Sequence, residues 1–193
     1  VLLLGMGWAA WMDHKERRVS NDHWVVWVKP AIFLWCVELL AREADWTIFL
    51  TASAVVAYAS VAVIGRPTVT DILAGNREDV MVSLWYVISL VGVIGGMVKY
   101  SDVDPLDIVL GKLTGMAGLY WSTLFGLVII FVIDMSWRLR LIHGGADAKA
   151  LMWVAILIPN WSTMPVITDY NTEIVLQLPP AISLLMWGGL SFL

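Results

Sequence analysis

The sequence has few charged residues, a single cysteine and no excess of basic over acidic residues. Only 15% of its 193 residues are Asp, Glu, Lys or Arg, whereas a soluble domain carries about 25%. One cysteine, Cys36, allows neither a disulfide framework nor a cysteine-based zinc site. A net charge of −4 leaves no basic face for nucleic acid. These deficits exclude a soluble enzyme, a secreted disulfide scaffold and a disordered tail, and they argue against nucleic acid as a partner.

Apolar residues make up 60% of the chain and give a mean hydropathy of +0.79. They form runs separated by short charged connectors, which predicts an all-α polytopic membrane protein with about six to seven transmembrane helices. We expect a single integral-membrane domain over residues 1–193, with truncated first and last spans. Segment 150–159 is short, so a tilted, partly buried or re-entrant helix is equally consistent with it. The runs are 1–12, 24–41, 46–65, 80–98, 116–133, 150–159 and 179–193.

The lysines and arginines are distributed unevenly between alternate connectors. Eight lie on the odd-numbered connectors, namely Lys15, Arg17, Arg18, Arg66, Arg77, Arg138, Arg140 and Lys149. Three lie on the even-numbered ones, namely Arg42, Lys99 and Lys112. Because cytoplasmic loops retain Lys and Arg, the bias predicts a multi-pass cell-membrane protein with its N-terminus outside and its odd connectors in the cytoplasm.

A first polar cluster follows the first apolar run and reads DHKERRVSN, residues 13–21. Asp13 stands where a helix is expected to end, and a carboxylate is unfavourable beside the negative end of the helix dipole. An ion pair with Lys15 or Arg17 is one explanation, and the basic residues alone are explained as cytoplasmic anchors. A Lys or Asn would cap that helix end better, so Asp13 also invites a functional explanation.

A second polar cluster reads HGGADAKA, residues 143–150, and leads into the short apolar run. Gly144 and Gly145 are typical of a connector, and Asp147 is of a type preferred at helix N-caps. We therefore expect Asp147 to act as an N-cap, a position that would also fix the direction of its carboxylate.

Asp13 and Asp147 are more informative as a pair than singly. Both fall on the predicted cytoplasmic side, at the edges of separate spans. Two carboxyl groups brought close cannot both ionise, so the pair shares a proton. The ionised group can then take a proton from water while the neutral one polarises a peptide carbonyl. This chemistry is aspartyl proteolysis, and it requires neither a metal nor another cofactor.

The first cluster resembles that of the archaeal preflagellin and prepilin peptidases, relatives of the bacterial type IV prepilin peptidases in the GxGD class of membrane aspartyl proteases. In that family the first catalytic acid ends a span and precedes an Arg-rich stretch that closes in Pro-Asn or Ser-Asn. Here Asp13 precedes Arg17, Arg18 and, after Ser20, Asn21.

The second cluster extends the resemblance. In the order and spacing of the two motifs, the membrane side on which they are expected and the number of spans, the resemblance covers nearly the whole chain. The family's second acid ends a glycine-rich motif and is followed two residues later by a lysine at the head of an apolar helix. A literal GxGD would place glycine at position 146, so the turn into Asp147 must be one that an L-residue can adopt. The matching positions are Gly144, Gly145, Ala146, Asp147 and Lys149.

The resemblance implies a membrane aspartyl endopeptidase that removes a short basic leader from membrane-anchored archaellin or type IV pilin precursors at the cytoplasmic face. It assigns catalysis to Asp13 and Asp147. The bacterial relatives also methylate the new amino terminus with a cysteine-bearing insertion; a lone cysteine, expected to be buried, and no insertion argue against that here. By charge, four acids are expected to attract the leader: Glu16, Asp22, Glu78 and Asp79.

Two other functions fit the same residues. A presenilin-like intramembrane protease would use the same acids to cut within a helix, and a non-enzymatic transporter would use them as proton or ion sites. Asp134 is a lower-ranked partner for Asp13, while Lys29 and Glu38 are further transport candidates. The histidines are too scattered to favour a metal site: His14, His23 and His143.

Overall fold

The computed structural model describes residues 1–159, Trp161 and 178–190. Within these residues every regular element is a helix, as predicted. The α-helices are α1 (Leu2–Glu16), α2 (Asn21–Ala41), α3 (Trp46–Ile64), α4 (Val69–Leu73), α5 (Arg77–Lys99), α6 (Gly115–Arg138), α7 (Gly145–Leu157) and α8 (Pro180–Leu190). A 3₁₀ helix, Pro105–Ile108, lies between α5 and α6. The predicted final run extends beyond the described residues at 191–193.

Four of these helices are long and apolar enough to cross a membrane: α2, α3, α5 and α6. With 15 and 13 residues, α1 and α7 reach only about 20 Å at 1.5 Å per residue, less than the ~30 Å hydrocarbon core. The structure thus supports a helical membrane protein with four candidate spans. The larger count of six to seven spans stays a prediction.

Much of the apolar surface is exposed, which a bilayer would cover. Large side chains such as Phe33 and Val98 are 66% and 72% exposed on the outer faces of α2 and α5. Contiguous apolar surface of this kind is rare on soluble monomers. Cys36 lies on the same outward face of α2 and is exposed. The expectation of a buried cysteine is therefore wrong, because an apolar run places residues toward lipid as readily as toward the protein core.

Polar side chains mark the N-terminal ends of four helices. Each accepts a hydrogen bond from a backbone N–H in the first turn, as N-caps do. The cap of α4, Thr68, begins a helix of five residues that hydropathy did not predict, because it is too short and too polar to form an apolar run. The capping residues are Ser20 for α2, Asp45 for α3, Thr68 for α4 and Asn76 for α5.

Helix α3 packs against both α5 and α6, and these three helices form the larger part of the core. Glycines allow the close approach: a Cβ on Gly92 would collide with Leu50, and one on Gly96 would collide with the ring of Tyr120. The Tyr120 hydroxyl donates to the backbone oxygen of Val93 at 2.6 Å. This hydrogen bond satisfies a buried polar group inside the helix interface.

Helix α7 joins the remaining helices to this core. It packs against α6 on one side and α2 on another, while α1 and α8 also contact it. A second, smaller core forms where α1, α2 and α7 meet, and its buried members are Ala9, Trp24 and Trp153. We call these three helices the α1–α2–α7 half and the other packed group the α3–α5–α6 half.

Side-chain contacts show which connections share an end of the bundle. Arg66, after α3, bonds to Asp134 near the end of α6 at 3.0 Å. Lys149, near the start of α7, bonds to Asn21 at the start of α2 at 2.6 Å. The α1–α2, α3–α5 and α6–α7 connections therefore lie together, as the alternation of connectors predicts. We call this the Asp147 end. At the opposite, Asp45 end, Lys99 bonds to Asp45 at 2.7 Å.

Candidate active site

Asp13 lies in the last turn of α1, which continues four residues further than the apolar run predicts. The helix ends through Arg17, whose left-handed backbone conformation, φ 53°, brings its N–H to the backbone oxygen of Asp13 at 2.8 Å. The Asp13 side chain is exposed. Within the described part of the chain it forms no ion pair, so pairing with Lys15 or Arg17 does not account for it. Lys15 instead lies 5.0 Å from the ring centre of Trp11.

Asp147 is not the N-cap of α7. Gly144 holds that position, and Asp147 lies in the first helical turn, three residues further on, with an exposed side chain. The prediction of an N-cap is therefore wrong, because the helix begins at Gly145 rather than after the acid. A carboxylate in the first turn is favoured by the helix dipole, so the position is stabilising without a cap hydrogen bond.

Neighbouring side chains lie close to both glycines of the second cluster. A Cβ on Gly144 would collide with the carboxylate of Asp147, and one on Gly145 would lie 3.2 Å from Cζ2 of Trp137. Gly144 has φ −85°, which any residue adopts. Ala146 lies inside α7, so the chain enters the helix in a conformation that alanine tolerates. The departure from GxGD therefore does not strain the backbone.

Close packing of α1 on α7 brings the two clusters to the same end. A Cβ on Gly5 would collide with the indole of Trp153. Along α1, Asp13 lies eight residues beyond this contact, about 12 Å; along α7, Asp147 lies six residues before it, about 9 Å. The two acids therefore stand at similar depth at the Asp147 end. Ala9 belongs to the same contact region, one turn before Asp13.

A direct hydrogen bond joins the two predicted motifs. The Nζ of Lys149 donates to Oδ1 of Asn21 at 2.6 Å, across 128 positions of sequence. The same Nζ lies 5.8 Å from the ring centre of Trp137. Lys149 therefore couples the segment after Asp13 to the helix that carries Asp147. The bond gives these two motif residues a positioning role that sequence spacing could not reveal.

The basic and acidic residues of the clusters lie around this end. Arg17 and Arg18 are exposed in the α1–α2 connection. Among the predicted leader-binding acids, one pair flanks that connection and the other occupies the first turn of α5, where Asp79 also accepts from Asn76 at 2.8 Å. The structure thus separates them into two groups: Glu16 with Asp22, and Glu78 with Asp79.

Asp134 has a different environment from the two exposed acids. Its side chain is 3% exposed, and its Oδ2 accepts from Arg66 at 3.0 Å, Arg138 at 2.8 Å and Tyr58 at 3.0 Å. These contacts tie α3, its following connection and α6 together. Asp134 therefore has a structural role, which weakens it as a partner for Asp13. Glu38, the transport candidate, forms an ion pair with Arg42 at 2.8 Å.

An aromatic cluster beneath the site went unpredicted. Trp153 contacts Trp24 and Trp27 edge to face, with ring centres 6.0 and 6.5 Å apart. Its Nε1 also donates to the backbone oxygen of Trp27 at 3.3 Å. The three-residue spacing of Trp24 and Trp27 places both on one helix face, which was the available signal. The cluster fixes α2 against α7 one turn below Lys149.

Comparison of the chain with protein-family models, with curated proteins and with solved structures finds no match.

Proposed function

We propose that this protein is a membrane aspartyl endopeptidase that uses Asp13 and Asp147 to cleave membrane-anchored precursors. The observation that carries the proposal is that two exposed carboxylates lie at the same end of the bundle, on helices that pack closely where Gly5 meets Trp153. Unlike Asp45 and Asp134, neither acid is engaged in an ion pair with a described residue. Both carboxylates are therefore accessible to water and to a substrate peptide.

The proposed reaction divides the work between the two carboxyl groups. The ionised one takes a proton from water, and the water oxygen attacks the carbon of the scissile carbonyl while the neutral carboxyl protonates its oxygen. The resulting gem-diol collapses as the C–N bond breaks: the first carboxyl gives its proton to the departing amine, and one diol hydroxyl gives its proton to the second carboxylate, which leaves the carboxylic acid product. Both groups are then ready for another cycle, with one proton shared between them.

The substrate class follows from the resemblance of the clusters and from charge. Archaellin or type IV pilin precursors, with a short basic leader before an apolar helix, present a scissile bond at the membrane edge. The Asp147 end is cytoplasmic in the orientation that the lysine and arginine bias predicts. Exposure of both acids at that edge favours cleavage at the start of a helix over cleavage within it.

The deciding experiment co-expresses a precursor with wild type, Asp13→Asn, Asp147→Asn or the control Asp102→Asn, an exposed acid just beyond α5. General acid–base groups contribute about 10²–10⁴-fold, so each site variant should lose processing by that factor while Asp102→Asn retains it. Size-exclusion profiles check that all variants fold. Full processing by either site variant would contradict the assignment.

Mass spectrometry of the product separates the alternatives. A cut between leader and helix supports the peptidase, and a cut inside the apolar helix would favour the presenilin-like protease. Absence of cleavage by wild type, with solute flux that depends on Asp13 and Asp147, would favour a transporter.

A further inference from the structure

An apolar cavity of about 180 Å³ lies between α2, α3 and α7. Its walls come from one face of each helix, and its lining includes Trp24, Val28, Val56, Val63, Lys149 and Ile156. From Lys149 to Ile156, and from Val56 to Val63, seven residues span about 10 Å of helix. The cavity therefore runs from the Asp147 end about a third of the way through a ~30 Å hydrocarbon core.

Two polar donors stand in this apolar setting. The Lys149 ammonium has three N–H donors and uses one for Asn21. Trp24 is 5% exposed, and its Nε1 is buried with no hydrogen-bond acceptor among the described residues. Buried donors are almost always satisfied in native proteins. The combination calls for an occupant with an apolar body, an acceptor oxygen and a negative charge at one end.

We propose that this cavity holds one acyl chain of an anionic phospholipid, with the headgroup phosphate at Lys149. An ester carbonyl is the matching acceptor for the Trp24 indole. Size favours a single chain over a peptide, because an α-helix with its side chains is about 10–12 Å across and exceeds the cavity. Charge favours an anionic lipid, since Lys149 is the cation of the lining and anionic lipids attract such residues at the cytoplasmic leaflet.

The test is native mass spectrometry of the detergent-purified protein after exchange into mixed micelles of phosphatidylglycerol and phosphatidylcholine. Wild type should retain one phosphatidylglycerol in preference to phosphatidylcholine. Lys149→Gln should weaken that binding about fivefold, the equivalent of one surface cation. Lys29→Gln removes the same charge from an exposed position of α2 that does not line the cavity, and it should leave the preference unchanged.

Two further variants address the apolar and polar parts separately. Ala62→Leu fills space at the half-buried wall of α3 and should reduce binding of both lipids. Trp24→Phe removes the indole N–H together with the five-membered ring, and it should weaken binding of both lipids by at least about two- to tenfold, the effect of one hydrogen bond, since both carry the ester carbonyl. A cooperative thermal unfolding transition like that of wild type shows that each variant is folded.

Several results would overturn the proposal. Equal retention of the two lipids by wild type, or an unchanged preference in Lys149→Gln, would show that Lys149 does not bind the headgroup phosphate. Displacement by glycerol phosphate alone would assign the site to a soluble phosphate. Binding of a precursor's apolar segment with no lipid retained would assign the cavity to substrate. None of these readouts depends on proteolysis.

Discussion

The two most enclosed aspartates and the two motif aspartates lie in different halves of the bundle. In the α3–α5–α6 half, Asp45 accepts from Lys99, Thr47 and Tyr100, and the more deeply buried Asp134 accepts from two arginines and a tyrosine. In the α1–α2–α7 half, the two motif acids are exposed, with no ion pair to any described residue. Where an acid holds helices together, the chain supplies its donors. The helix dipole accounts for the position of Asp147, and no ion pair with a described residue accounts for Asp13. Both carboxylates are exposed, as the proposed proteolysis requires.

The largest expected difference between the halves is in stability. Asp134→Asn removes the charge from a buried carboxylate that two guanidinium groups contact, and we expect a loss of about 2 kcal/mol, since both arginines are partly exposed and screened. Asp147→Asn alters an exposed side chain and should change the free energy of unfolding by less than about 0.5 kcal/mol. Unfolding by SDS in mixed micelles measures both. If Asp134→Asn and Asp147→Asn lose the same free energy of unfolding, Asp134 has no greater structural role than Asp147.

Packing of α1 on α7 provides the next comparison. Gly5→Ala forces a Cβ into the Trp153 indole, and we expect a loss of about 1–2 kcal/mol from overpacking. Gly7 has no heavy atom within 4 Å of an added Cβ. Gly7→Ala should therefore stabilise α1 by about 0.5–1 kcal/mol. The same unfolding assay applies.

The rate of precursor cleavage provides a second comparison of Gly5→Ala with Gly7→Ala. Because α1 carries Asp13, Gly5→Ala should also slow precursor cleavage, whereas Gly7→Ala should not. A destabilised Gly5→Ala protein that cleaves at the wild-type rate would show that the α1–α7 contact does not position the acids.

The sequence predicts most helices to within a few residues, because long apolar runs and Gly, Ser or Asp boundaries are local signals. It does not predict the 3₁₀ helix at Pro105–Ile108 or the place of Asp147 inside α7, which depend on a single turn of backbone. The sequence also does not predict the hydrogen bond of Lys149 to Asn21 or the set of donors around Asp134. Apart from the neighbouring Arg138, the partners lie more than 60 positions apart in the sequence, and only the packing of helices decides such contacts.

Acid should weaken the Asp45 network. Partial burial acts to raise the pKa of Asp45, but hydrogen bonds from Lys99, Thr47 and Tyr100 outweigh burial and hold the pKa well below its ordinary value of 3.8. A lowered pKa in the folded state contributes stability that is present above pH ~4 and is lost as the pH falls further.

The measurement is the Tm of wild type and Asp45→Asn between pH 7 and pH 3. Wild type should unfold about 2–4 °C higher at pH 7, and the gap should narrow below pH ~4. Asp102→Asn, at the same end of the bundle, should follow the wild-type curve. A gap that stays constant with pH would show that the charge of Asp45 contributes nothing.

The smallest expected effect concerns recognition of the basic leader. Glu16 and Asp22 flank the connection that follows Asp13, whereas Glu78 and Asp79 lie at the start of α5, a helix of the other half. Surface charges act within about a Debye length, ~30 Å at 0.01 M salt and ~10 Å at 0.1 M. Neutralising the first pair should slow processing at low salt by about fivefold, and neutralising the second pair by less.

Raising the salt concentration tests whether these effects are electrostatic. At 0.5 M salt both double variants should approach the wild-type rate, because screening removes attraction between exposed charges. The matched control neutralises Glu43 and Asp102 at the Asp45 end, where a leader bound beside Asp13 is far from the lost charges. If the first pair has no effect at low salt, or if the control slows processing equally, leader recognition does not depend on these acids, and the α1–α2–α7 half contributes catalysis without charge-based selection of the leader.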